Sequence, residues 1–296
     1  MKYPAFYNMY KDAIKNKWTI EDINWSADFA NLCNSANQAS IKTLVTRLAA
    51  FLMFCDSIIS KNLSTNIYRH VHSPEARMLL SRQLFEESLH TQLYLTVVDH
   101  YIPNHEEQSK FFKELETIPS IQQISQFCFK WMNSINTLSK MNSIENRRQF
   151  LMNLICFSTC IEGLFFSGAN VFINYFKAKN LFAGFTSGMN HVFRDKKIHI
   201  NFTLEIVNIA RNEEPGLFNN QMNEMVIQMM EDAIDAQMSF AKDLLNEGLI
   251  DLPLHDVRQY LEFEADQHLK RLKIPARYKI KNPFQTIKPY DCPEAL

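Results

Sequence analysis

Ionisable residues set into the apolar faces of long helical stretches constrain this chain more than any other feature. Asp56 lies within Phe51-Leu52-Met53-Phe54-Cys55-Asp56-Ser57-Ile58-Ile59. Glu87 and His90 sit three apart, on one helical face, in Phe85-Glu86-Glu87-Ser88-Leu89-His90. Glu162 separates Cys156-Phe157-Ser158-Thr159-Cys160-Ile161 from Gly163-Leu164-Phe165-Phe166, and His199 closes Arg194-Asp195-Lys196-Lys197-Ile198-His199. A charge buried on such a face is costly unless it is paired or bound to metal.

Composition narrows the fold class. Only 6 of 296 residues are Gly, well under the average usage of roughly 7%, which suits long helices and argues against a turn-rich β protein. With 46% hydrophobic residues the chain can bury a large core. Lys plus Arg number 31 against 32 for Asp plus Glu, so charge offers no footprint for a nucleic acid or an anionic membrane. The apolar periodicity predicts helices over 40–70, 74–100, 106–115, 121–139, 144–179, 186–211, 219–247 and 254–272. Ser73-Pro74-Glu75 marks one start, and Ser26 or Asp28 is expected to cap a short helix. The expected partition is one all-α domain over 1–284 with a short irregular tail over 285–296.

Six cysteines, Cys33, Cys55, Cys128, Cys156, Cys160 and Cys292, form no C-x-x-C pair and read as reduced thiols of a cytoplasmic protein. The opening residues carry charges throughout, unlike a secretory signal. The longest apolar run, Leu44 to Ile59, is interrupted by Arg47 and Asp56 and reads as too short to span a bilayer.

A lone E-x-x-H is ordinarily a solvated helix face, and a lone Asp in an apolar stripe a hydrogen-bonded core residue. The ordered set outweighs those readings. Carboxylates on separate helices with a Glu-x-x-His motif are what a bundle needs to hold two metal ions. Carboxylates neutralise the ions, and imidazoles complete coordination without adding charge. The full pattern has a second E-x-x-H ending at His199, and Lys196 stands where its Glu belongs.

Further motifs carry a resemblance over about Tyr3 to Phe284. They are Tyr3-Pro4-x-Phe6, Lys17-Trp18-Thr19-Ile20-Glu21-Asp22-Ile23, Ile161-Glu162-Gly163-Leu164-Phe165-Phe166-Ser167-Gly168 and Arg194-Asp195-x-x-x-His199. The last is Gln259-Tyr260-Leu261-Glu262-x-x-Ala265-Asp266-x-x-Leu269, with Asn282-Pro283-Phe284 after it. In this order they resemble the small, radical-generating subunit of class I ribonucleotide reductase. The resemblance implies a ferritin-like helical bundle with additional flanking helices. It implies metal ligands at Asp56, Glu87, His90, Glu162 and His199, and a cofactor of two irons or two manganese ions. It places Tyr94 at the radical tyrosine, Trp18 and Asp195 on the radical-transfer route, and Phe166 and Lys196 beside the cofactor. It also implies a homodimer, a large-subunit partner that reduces ribonucleotides, and a flavoprotein activator.

Lys196 changes the charge of the site by two units relative to Glu. A unit-charge pair at 4 Å is worth about 4 kcal/mol at an effective dielectric near 20. With Asp56, Glu87 and Glu162 ionised, the lysine leaves two negative charges, enough for one divalent ion or two shared protons. Reduced or absent metal is therefore expected, with Lys196 ion-paired to one of the three. The bland alternative is a Lys196 that swings to solvent on its flexible stem. Some relatives with a matching lysine work without metal but have also lost carboxylates that this chain keeps. Asn170 falls where an apolar residue usually neighbours the radical tyrosine, and Tyr290 is the tyrosine that follows Tyr278 in the tail. Three alternatives stand beside the main reading: a cofactor-deficient, non-catalytic partner subunit, a ferritin-like metal-dependent oxidase, and a purely structural helical protein, which would have no reason to retain Tyr94, Trp18 and five ligand-type residues together.

Overall fold

Pro4 fills the first turn of α1 (Pro4–Lys15), where a missing N–H is harmless. The computed structural model describes residues 1–28, 38–132, 141–246, 248, 250–284 and 287, and among these it is helical, with no strand. A 3-10 turn, Ile20–Asp22, follows, and then α2 (Gln38–Asn62), which runs on through a π turn, Leu63–Ile67. The Ser73 cap is as expected: its hydroxyl accepts the Ala76 N–H and Pro74 opens α3 (Pro74–Tyr101). Next come α4 (His105–Leu115), capped by Asn104, and α5 (Pro119–Met132); residues 133–139 of the expected helix lie outside the described residues.

The stretch expected as one helix over 144–179 is continuous but not uniform. It comprises α6 (Ile144–Ile155), a fully buried π-helical segment (Cys156–Phe165) and α7 (Phe166–Ala178). Then follow α8 (Ala183–Glu213), α9 (Asn220–Leu245) and α10 (Leu254–Arg271). The expectation for Asp28 needs correction. Instead of capping its own short helix, its carboxylate accepts the Gly184 N–H at 2.7 Å and the Phe185 N–H at 3.0 Å. It therefore caps α8, which starts at Ala183 and not at Thr186 as periodicity suggested.

α2 and α3 pack along each other, with α8 against α3 and the π segment, so the four carriers of ionisable residues surround one interior. α1 lies across α3 and α8, while α9 and α10 cover the π segment from its other side. Close approach there depends on missing side chains: a Cβ on Gly163 would lie 2.5 Å from His268 Nε2, and one on Gly168 2.2 Å from Gln237 Nε2. Beyond α10, Asp266 accepts the backbone N–H groups of Arg277, Tyr278 and Lys279, which folds the non-helical segment back onto the bundle.

The reading that the Leu44–Ile59 region is too short to span a bilayer also needs correction. The helices over Ala39–His70 and Ile144–Ala178 are both long and apolar enough by length and composition. They are 61% and 94% buried within the bundle across their most apolar windows, as core helices are.

Candidate metal centre

Period-3.6 geometry puts Gln83, Glu86, Glu87, His90 and Tyr94 on one face of α3, and all are fully buried. Asp56 comes in from α2, Glu162 from the π segment, and Asp195, Lys196 and His199 from α8, each 0% exposed. π-helical register is uncommon and recurs at functional sites; here it carries Glu162.

Lys196 does not reach solvent. Its Nζ donates to Asp56 Oδ1 at 2.7 Å and Glu87 Oε2 at 2.6 Å, and lies 3.4 Å from Glu162 Oε1. The same ammonium stands 4.6 Å from the centre of the Phe166 ring, a cation–π contact. The expected pairing with one carboxylate is thus met by all three. Burial works against the charged ammonium, and the Coulomb field of Asp56, Glu87 and Glu162 more than reverses it, holding its pKa above the ordinary value. Among the acids, burial dominates at Asp56 and Glu162 and raises both. At Glu87 burial is outweighed by Lys196 and the imidazoles, which pull it well below its usual range.

The two histidines are held differently. His90 Nε2 lies 3.2 Å from Asp195 Oδ2, and the same oxygen accepts the Trp18 indole N–H at 2.8 Å. His90 Nδ1 is 3.5 Å from Asp56 Oδ2 and from Glu87 Oε2. Burial opposes its protonation, but hydrogen bonds to Asp195, Asp56 and Glu87 lift the pKa to about 10. His199 directs Nδ1 toward Glu162 Oε1 and Glu87 Oε1, both at 3.2 Å, and Nε2 toward Glu86 Oε2 at 2.8 Å. The other oxygen of Glu86 accepts the Arg82 Nε–H at 2.7 Å. The Gln83 amide donates to Glu162 Oε1 at 3.2 Å.

Glu86 belongs to the centre although nothing in its local sequence singled it out from Glu87. A signal was present: 83, 86, 87, 90 and 94 follow i, i+3, i+4, i+7, i+11, one polar stripe on a helix whose neighbours are apolar. Tyr94 lies one turn beyond His90 on that stripe, fully buried. Asn170 is 9% exposed, and its side-chain carbonyl accepts from Asn174. Tyr290 falls outside the described residues.

Among the described residues, two groups have metal-ligand character, Asp56–Glu87–His90 and Glu87–Glu162–His199, with the donor atoms of each group lying within 4.8 Å of one another. They share Glu87, as the two halves of a di-metal centre do. Two ions do not fit the residues present, because the ammonium already stands among the three carboxylates, closest to the two of the first group.

A helical bundle enclosing a carboxylate and histidine centre of this kind is a ferritin-like protein. The protein belongs to a particular family within that class, since residues 1–283 match the family model "Ribonucleotide reductase, small chain". Its sequence is 29% identical over 283 residues to the ribonucleoside-diphosphate reductase small chain of Plasmodium falciparum (isolate Dd2), covering 95% of this protein and 74% of the relative. The fold resembles the ribonucleotide reductase R2 subunit from Clostridium botulinum, with a TM-score of 0.83 at 20% identity over 93% of this protein and 84% of that one. It also resembles dimanganese(II)-NrdF of Streptococcus sanguinis, with a TM-score of 0.78 at 16% identity over 94% and 92% of the two proteins.

Proposed function

We propose that this chain is the radical-generating small subunit of a ribonucleoside-diphosphate reductase, with Tyr94 as the residue oxidised and a large subunit as the site of nucleotide reduction. The observation that supports it most is the bridge made by one carboxylate oxygen. Asp195 Oδ2 accepts the Trp18 N–H at 2.8 Å and faces His90 Nε2 at 3.2 Å. An indole that loses an electron becomes a strong acid, and here its proton has a waiting acceptor. The Trp18 ring also stacks on His191 at 5.1 Å and on His90 at 6.2 Å. That continuity of rings joins the centre to the N-terminal segment.

Each residue's part follows. Glu87, Glu162 and His199 are the groups that would hold metal, which would supply the oxidising power that tyrosine oxidation requires, while Asp56 is held by the Lys196 ammonium with His90 beside it. Phe166 lines the centre and keeps it dry beside the ammonium. Tyr94 stores the oxidised state in a fully buried position, away from solvent reductants. Small subunits of this family form homodimers and pair with the large subunit, and the same assembly, a cytoplasmic location and activation by a flavoprotein complete the reading. Residues 1–284 act as one domain. The oxidase alternative needs an open substrate cavity at the centre, whereas every side chain of the centre is fully buried.

Tyr94→Phe tests the proposal, since it removes only a hydroxyl. It should leave the fold intact while abolishing the tyrosyl electron paramagnetic resonance signal and turnover with the cognate large subunit. Full reductase activity in that variant would sink the reading.

A further inference from the structure

We infer that the centre takes one divalent transition-metal ion, at Glu87, Glu162 and His199, and that the Lys196 ammonium permanently stands in for a second ion beside Asp56. The inference refines the cofactor of the function proposed above and rests on that reading.

The two halves of the centre differ in how closely the ammonium holds their carboxylates, at 2.7 Å for Asp56 against 3.4 Å for Glu162. The ammonium bonds Asp56 Oδ1 and Glu87 Oε2 at 2.7 and 2.6 Å, so both carboxylates of the Asp56–Glu87–His90 group are already committed to a cation. An ion placed there would compete with a cation that cannot leave, because Lys196 is fully buried. On the other side, Glu162 Oε2 is buried with no hydrogen-bond partner and Glu87 Oε1 faces the His199 ring at 3.2 Å; Asp56 Oδ2 and His90 Nδ1 are also without a hydrogen bond on the first side, but there the ammonium bonds both carboxylates at 2.6–2.7 Å. Buried acceptors left this way are rare in native proteins and call for a ligand.

His199 is posed for that ligand. Its Nε2 is engaged by Glu86, which Arg82 pins from its other oxygen, so Nδ1 is directed at Glu87 Oε1 and Glu162 Oε1. A carboxylate on the remote ring nitrogen is the arrangement that orients a metal-ligating imidazole and raises its basicity. His90 has the same support, from Asp195, which Trp18 shares; what sets it apart is that its Nδ1 faces, at 3.5 Å, Asp56 and Glu87, the two carboxylates the ammonium bonds most closely. Charge agrees with the geometry. With His90 balanced by Asp195, Arg82 by Glu86 and His199 counted as a neutral ligand, Asp56, Glu87 and Glu162 carry three negative charges, the ammonium cancels one, and a single divalent ion cancels the rest. A second ion would leave two positive charges in a buried site. Two carboxylates and one imidazole suit a manganese, iron, cobalt or zinc ion.

The test is metal stoichiometry on the full-length protein, stripped with chelator and reloaded anaerobically with Mn(II) alone. Equilibrium dialysis should give one ion per chain, with the paramagnetic resonance signature of an isolated Mn(II). His199→Gln and Glu162→Gln should lose that ion, and His90→Gln should keep it. Lys196→Glu should take up two ions and show exchange coupling between them. Zero or two ions in the wild type overturns the inference, as does loss in His90→Gln with retention in His199→Gln. Circular dichroism checks each variant's fold, and if a variant fails to fold the wild-type count still decides. None of these readouts needs the large subunit or Tyr94, so this inference and the radical proposal fail separately.

Discussion

Glu86 sits between Arg82 at 2.7 Å and His199 at 2.8 Å, and its sequence neighbour Glu87 faces the ammonium instead. Adjacent residues on a helix point about 100° apart, so the Glu-Glu pair divides its work between the centre and the group that orients it. Replacing Glu86 by Leu strands His199 and Arg82. Breaking a buried ion pair costs about 3–5 kcal/mol, and the low end is expected because Arg82 retains some solvent contact, 12% of its side chain. Chemical denaturation of Glu86→Leu checks this, with Glu86→Gln, which keeps a hydrogen bond, losing less. The thiols make a second prediction. Burial pushes Cys128 up to about 12 and Cys156 well above its ordinary 9.0. Groups raised in the folded state leave stability untouched below the unfolded value and erode it as pH climbs toward the folded one. Denaturation midpoints should therefore fall above about pH 9, and neither thiol should react with iodoacetamide in native protein near pH 8.

At the level of elements, what could be read from the sequence was what is local. The Ser73 cap and Pro74 start are decided by three consecutive residues, and α3 begins where they place it. Asp28 misled because its partners, Gly184 and Phe185, are 156 and 157 residues away. Asp28→Ala removes the acceptor for two N–H groups at the head of α8 and should cost about 1 kcal/mol, within the usual range for a lost cap, measurable by thermal unfolding. The π register at Cys156–Phe165 was hidden too, since apolar residues on every side leave no phase from which to detect it. Gly163 lies inside that segment against the His268 ring. Gly163→Ala should cost about 1–3 kcal/mol through overpacking. Because Gly163 follows Glu162, the same variant should weaken Mn(II) binding, which dialysis reports.

For the whole molecule, helical class and the set of facing residues were legible because buried charges must find partners, and four helices each carried one. What the lysine does was legible only in part. The sequence dictated that Lys196 needs a carboxylate; tertiary packing decided that it meets three at once, Asp56 and Glu87 closely and Glu162 at 3.4 Å. The bundle's depth has a measurable counterpart: sedimentation at micromolar concentration should show a homodimer, and a clean monomer would contradict the assembly proposed here. A last consequence concerns synthesis. Asp28 meets Gly184, Trp18 meets Asp195 and Asn16 accepts from Arg194, so the N-terminal segment is stitched along α8 by contacts 156, 177 and 178 residues apart. At about 5–20 residues per second, the N-terminal segment waits roughly 8–36 s for its partner residues to be made, and the centre cannot close until α8 has been synthesised.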